Sequence, residues 1–469
     1  MSKRAIAVRK THVKGMGNKV IPRYGRRCLG KGIYVSNDSR KTRLNNTDLV
    51  ISGSGGGKTG CIVYPQLKTL NDSSLIVADS KNMLHRMFKE ELEKKGYKVL
   101  VLDFVNPKQS CLYNPLRFVR RDDDGNYNEM DIMKISAALL PQQDKNEPFW
   151  ETQGRAVLDF FISYCLSVLP EEDHNMYAVT RLYHAFTKEM GESGFIGWIE
   201  SHPGSFTANR YEKIKNMKIA DKTWSSILSF VNVALYPFDV ALLHHIFDPD
   251  LYKVDEEDAE CCEIEGLDED DFSYEVCPPP VTDLTFREEI DIEALGKEKT
   301  VVFLNISDTD HSLDCLVNLF YSQALQTLVS VADRQPDGRL EMPCRIIFDD
   351  FASGTRIEDF DKVISIVRSR DIWVTMCIQS LSQLESLYSK PQALTIINNC
   401  DHLIYMGCND LETAIFIGTR AGKVPEEILS LDRAKEYFIE SGKKAILVDK
   451  IPPYSYSGDE DDLQNPQPV

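Results

Sequence analysis

One octapeptide constrains this chain more than any other stretch. Ser52-Gly53-Ser54-Gly55-Gly56-Gly57-Lys58-Thr59 follows the short apolar run Leu49-Val50-Ile51 and opens an amphipathic segment that reaches Leu70. Glycines at a strand-to-helix junction let successive backbone N–H groups turn inward around phosphate oxygens, and the helix N-terminus adds its dipole. Lys58 is spaced to reach the β- and γ-phosphates of a nucleotide, and the Thr59 hydroxyl to ligate Mg2+. The pattern predicts a cradle made of Ser52, Gly53, Ser54, Gly55, Gly56, Gly57, Lys58 and Thr59, with ATP and Mg2+ as cofactors. Such loops open with glycine, and here that position is Ser52.

A phosphate loop works with a carboxylate at the end of a neighbouring strand. Ile346-Ile347-Phe348-Asp349-Asp350 has that form. Asp349 is predicted to organise the Mg2+ shell together with Thr59, and Asp350 to polarise the attacking water. Most ATPases of this kind carry glutamate at the second place, so Asp350 is one methylene short.

Around these two motifs, strand and helix signals alternate. Apolar runs at Leu49–Ile51, Leu75–Ala78, Val99–Leu102, Thr300–Asn305, Ile346–Phe348, Val374–Ile378, His402–Tyr405 and Ala445–Val448 are separated by helical patterns. That alternation predicts an α/β fold with a mostly parallel sheet covered on both faces. Residues 129–250 read instead as an inserted all-α domain. The expected organisation is a basic segment over 1–44, a nucleotide-binding motor over 45–128 and 281–450, an acidic linker over 251–280 and a polar, unstructured tail over 451–469.

Composition bounds the rest. Of 469 residues, 42% are hydrophobic and 27% charged, the balance of a soluble globular protein. No run approaches the roughly 20 apolar residues of a membrane helix; the best, Ala156–Leu169, carries Asp159. No signal-peptide core is present, and the 12 cysteines lack metal-ligand spacing, so reduced thiols are expected. The net charge of −18 argues against nucleic-acid binding only if it is evenly spread, and it is not. Met1 to Asn37 has no acidic residue, whereas Val254 to Pro280 has no Lys or Arg.

The order of motifs resembles the type IV secretion coupling proteins of the TraG/TraD kind, over about residues 45–449. The pieces that carry the resemblance are the phosphate loop, Val77-Ala78-Asp79-Ser80-Lys81, Asn114-Pro115-Leu116, Glu147-Pro148-Phe149-Trp150, and the block from Phe348 to Ala352 through Arg368-Ser369-Arg370 to Gln379-Ser380-Leu381-Ser382-Gln383-Leu384. Asn398-Asn399-Cys400-Asp401 and Asn409-Asp410 extend it. The resemblance implies a RecA-like ATPase interrupted by a helical domain, assembled as a hexameric ring that pumps relaxase-bound, single-stranded DNA into a secretion channel at the cytoplasmic face of the membrane. It implies that Arg368, with Arg370 as a rival, reaches the neighbouring subunit's γ-phosphate, and that Gln379 senses nucleotide. The catalytic set is then Lys58, Asp350, Arg368 and Gln379. The family is anchored by N-terminal membrane helices, which this sequence lacks. A soluble piece, a variant recruited by partners and a form tethered through its basic N-terminus all fit that difference. Two other functions stay open: a septal-type DNA translocase, and a nucleotide-gated docking protein with weak turnover.

Overall fold

The computed structural model describes residues 24–142, 148–189, 191–248, 287–307, 309–351 and 356–457. The basic run over 1–23, the acidic linker and residues 458–469 lie outside them. The strands are β1 (Arg26–Gly30), β2 (Ile33–Ser36), β3 (Thr47–Ile51), β4 (Ser74–Ala78), β5 (Lys98–Asp103), β6 (Thr300–Asn305), β7 (Cys344–Phe348), β8 (Ile372–Ile378), β9 (His402–Tyr405), β10 (Lys435–Glu440) and β11 (Ile446–Asp449). Nine of them form one sheet in the order β11-β10-β9-β3-β8-β7-β4-β6-β5. From β9 to β5 every neighbouring pair is parallel, while β10 runs antiparallel to both β9 and β11.

The near-continuous apolar runs follow from burial on both sides. Leu49 and Ile51 enter the core on one face and Val50 the core on the other; Val302 and Leu304 likewise oppose Val301 and Phe303. The helix Leu84–Lys94 covers one face with Leu84, Phe88 and Leu92. The helix Asp314–Asp333 covers the other with Leu316, Phe320, Leu325 and Leu328. By length and composition it is the one described helix that could cross a membrane, but those side chains are core of the sheet.

Two stretches differ from the sequence-based expectation. Residues 24–44, grouped above with the basic segment, pack with the sheet. The antiparallel hairpin β1–β2 buries Cys28, Leu29 and Ile33 in the core shared with β3, β4 and β10. Its Arg27 is 2% exposed and is held by Asp48 of β3 at 2.7 Å, with Arg345 of β7 reaching the same carboxylate at 3.2 Å. A buried charge is tolerable only when it is paired in this way. The second difference is the tail. Ile451 and Tyr456 are buried, and residues 452–455 fold back as a turn onto the helix that follows the phosphate loop.

The helical region consists of Glu129–Leu139, Phe149–Val168, Met176–His184, Ser193–Ser201, Phe206–Lys218, Asp221–Asp239 and His244–Phe247. Phe149–Val168 is its central rod, and its core is aromatic: Phe160 meets Phe161 at 4.9 Å and Tyr164 meets Phe195 at 4.8 Å between ring centroids. Asp159, the charge inside the long apolar run, is paired with Arg210 at 3.2 Å. The chain leaves for this region and returns from it at one place. Leu112 bridges Glu289 in parallel register, with Leu112 N donating to Glu288 O at 3.0 Å and Ile290 N to Leu112 O at 2.9 Å.

Candidate active site

The site lies at the C-terminal ends of the parallel strands, where β3 has β8 and β9 as neighbours while the chain crosses over to β4. Open α/β sheets bind ligands at such switch points, because diverging connections leave a crevice there. The loop after β3 is tied to strand exits on both sides. Ser52 N donates to Ile378 O of β8 at 3.0 Å and Gly53 N to Gly407 O beyond β9 at 2.8 Å. Gly55 and Gly57 take φ of +69° and +95°, which side-chain-bearing residues avoid, and this curls the loop's amides inward.

Lys58, Thr59, Asp349, Asp350 and Gln379 come together in a cleft of about 400 Å³, with Asp79, Ser80, Lys81, Pro453 and Tyr454 completing its walls. Lys58 Nζ donates to Ser52 O at 3.2 Å and pairs with Asp350 at 2.8 Å. The Thr59 hydroxyl donates to the Asp349 carboxylate. β8 separates β3 from β7, so the acid-ended strand stands roughly 10 Å from the loop's own strand. The Thr59 and Lys58 side chains close that gap. Gln379, one residue past β8, sits between loop and acids, its N–H donating to Gln383 Oε1 at 3.2 Å. Asp350 has φ +60°, and Phe351 N then bonds Cys377 O at 2.8 Å. That left-handed step turns the carboxylate toward Lys58.

The residues fit Mg2+ as magnesium is ordinarily held, by one hydroxyl and one carboxylate with phosphate and water completing the shell. Thr59 and Asp349 are such a pair. No cluster of three His, Cys, Asp or Glu that could hold a metal occurs among the described residues. The nine described cysteines form no disulfide with one another, and burial pushes Cys61, in the first turn of the loop's helix, up to about 11.

Arg368 is not part of this cleft. It lies in the turn Val367–Arg370, before β8 begins, at the edge of the sheet opposite the phosphate loop. The length of β8 separates the two, roughly 20 Å. Arg368 is exposed and donates to Arg43 O, whereas Arg370 is engaged with Asp333 at 2.8 Å. Asp79, Ser80 and Lys81 were named in the sequence only as part of a motif, and the residues beyond β11 not at all. Pro453 and Tyr454 line the cleft, and Lys450 donates to Gly56 O at 3.3 Å and Met406 O at 2.7 Å. Their only sequence signal was proximity to the last strand.

A parallel sheet whose first core strand runs into this loop, with the acid-ended strand two places away, defines a RecA-like P-loop fold. Comparison with solved structures agrees on that fold. The plasmid coupling protein TrwB with a non-hydrolysable GTP analogue superposes with a TM-score of 0.60 at 13% identity, covering 93% of this chain and 97% of that one. TrwB with a non-hydrolysable ATP analogue gives 0.60 at 12% identity over 92% of each chain. The unbound monoclinic form of the conjugative coupling protein TrwBdeltaN70 gives 0.61 at 13% identity, covering 91% and 88%. No curated protein matches the chain in sequence. The profile described as Type IV secretory system Conjugative DNA transfer matches residues 5–246, and that described as TraM recognition site of TraD and TraG matches residues 343–437. The chain belongs to the conjugative DNA-transfer family of type IV secretory systems.

Proposed function

We propose that this chain is an ATP-hydrolysing coupling protein that recruits relaxase-bound DNA and pumps it into a type IV secretion channel. The observation that carries this reading is the convergence of Lys58, Thr59, Asp349, Asp350 and Gln379 on one cleft in a chain of this family. Lys58 holds the β- and γ-phosphates, and the loop's backbone amides hold the remaining oxygens. Thr59 and Asp349 would hold Mg2+, which when bound would supply positive charge beside the transferring phosphoryl group. Asp350 orients the attacking water, and Gln379 reports the γ-phosphate to the helix after β8. The Lys58–Asp350 ion pair of 2.8 Å must open when phosphate claims the lysine. Nucleotide binding thereby releases the carboxylate that the chemistry requires.

Arg368 stands far from its own cleft, so a role at the γ-phosphate needs a second copy of the chain, in a homo-hexamer at the cytoplasmic face of the membrane. The region 129–250 is the unit that recognises DNA or relaxase. TrwB has also been solved with ADP and Mg2+, which supports the same ligands here. One observation favours a second reading, a nucleotide-gated docking protein with weak turnover: the shorter acid Asp350 is drawn to Lys58 by its left-handed backbone. Steady-state ATP hydrolysis with and without single-stranded DNA separates the two. A motor shows DNA-stimulated turnover that Lys58→Ala abolishes without unfolding the chain. Turnover unchanged in Lys58→Ala overturns the site, and turnover indifferent to DNA favours docking.

A further inference from the structure

We infer that Tyr454 forms the wall of the cleft against which the sugar and base of the bound nucleotide rest. The inference depends on the nucleotide-binding reading above and adds the contact that reading leaves unassigned. The loop orders the ligand along itself. Lys58 addresses the β- and γ-phosphates, and the amides beside it cradle the α-phosphate. Ribose and base therefore continue outward past the start of the helix, at Gly60.

Tyr454 stands at that place. Its backbone N–H donates to Gly60 O at 3.1 Å. A Cβ on Gly60 would lie 2.8 Å from Pro453 Cβ and 3.0 Å from Tyr454 Cε2, so glycine is what lets the tail approach. Tyr454 is 40% exposed and lines the same cleft as Gly53 to Gly60. Behind it, Tyr64 supports the ring edge-on at 5.7 Å.

The turn that presents this ring is fixed at both ends. Lys450 is bonded to Gly56 O and Met406 O, and Ile451 and Tyr456 are buried on either side. Within it, Ser455 N and Oγ both donate to Pro452 O, at 3.2 and 2.7 Å. Tyr454 itself takes φ +58°, a conformation that a non-glycine residue keeps only where its surroundings impose it. The Gly60 hydrogen bond and the Tyr64 contact impose it here, and together they set the ring on the side that faces the cleft.

The test is calorimetric titration of the full chain with MgADP and with magnesium tripolyphosphate, a probe that has the phosphates but neither sugar nor base. Tyr454→Ala should weaken MgADP roughly tenfold, the scale of one base–aromatic stack, and leave tripolyphosphate unchanged. MgGDP should weaken alongside MgADP, because every base offers a π-face. Parallel loss of ADP and tripolyphosphate, or loss of neither, overturns the inference. Tyr454→Trp keeps the ring in place, and its fluorescence should respond to ADP but not to tripolyphosphate; the same response to both overturns it as well. Lys58→Ala is the control for the underlying reading. If that variant binds both ligands as the unaltered chain does, the nucleotide site itself is wrong, whatever Tyr454 does.

Discussion

Ser52 stands where phosphate loops open with glycine, and its hydroxyl decides what can stand at Gly56. The Ser52 Oγ is buried and makes no hydrogen bond. A Cβ built on Gly56 would lie 2.0 Å from it and 3.0 Å from Gly53 O. Gly56→Ala should therefore destabilise the chain by about 1–3 kcal/mol through overpacking. Much of that loss should return when Ser52→Gly is added, since the hydroxyl is the nearer obstacle. A four-protein thermodynamic cycle, measured by denaturant unfolding, gives the coupling. Additive effects would mean that the two positions do not compete for one space. The serine is thus more than a tolerated departure: its buried hydroxyl occupies the space that a side chain at Gly56 would need.

At the scale of elements, β10 and β11 do more than extend the sheet. Glu436 of β10 is fully buried, and its carboxylate oxygens make no hydrogen bond. Burial pushes its carboxyl from 4.5 up to about 8, against the pull of the nearby Lys450 charge. The folded chain thus holds a proton that the unfolded chain releases, so this contribution to stability is complete below about 4.5 and is lost as pH rises through about 8. From about pH 5 to 8 the unaltered chain should lose stability by up to about 1.4 kcal/mol per pH unit from this group. Glu436→Gln should lose less over the same range. Thermal unfolding midpoints of both proteins decide it, and parallel slopes would show that Glu436 does not titrate there. The phosphate loop and acid strand were legible in the sequence because each is a short motif bounded by apolar runs. The hairpin was not, because Arg27 looks like its solvated neighbours until Asp48 is seen beneath it. Tyr454 was hidden for a related reason: a polar, proline-rich tail has no periodicity that reveals where one ring points.

The largest scale is that of assembly. If Arg368 completes a neighbour's cleft, activity per chain should rise with protein concentration, and Arg368→Ala should lose turnover while still binding nucleotide. Mixing Arg368→Ala with Lys58→Ala chains in the presence of DNA should restore part of the activity, because some interfaces then pair an intact loop with an intact arginine. An exposed arginine with only a surface role changes stability by about 0–1 kcal/mol and activity hardly at all. Full activity in Arg368→Ala at every concentration would leave the cleft assigned and remove the ring. The seam between Leu112 and Glu289 bears on a different matter, how such a fold diversifies. Ladder partners lie only about 5 Å apart, so the two connections to the helical region run side by side there, while its helix Glu129–Leu139 shares apolar core with Asp314–Asp333. A lineage can exchange the whole region for another without re-threading the sheet or moving any residue of the cleft. The graft must bring its own apolar cover for the exposed side of Asp314–Asp333. The helical region and the cleft can then change on separate clocks within one chain.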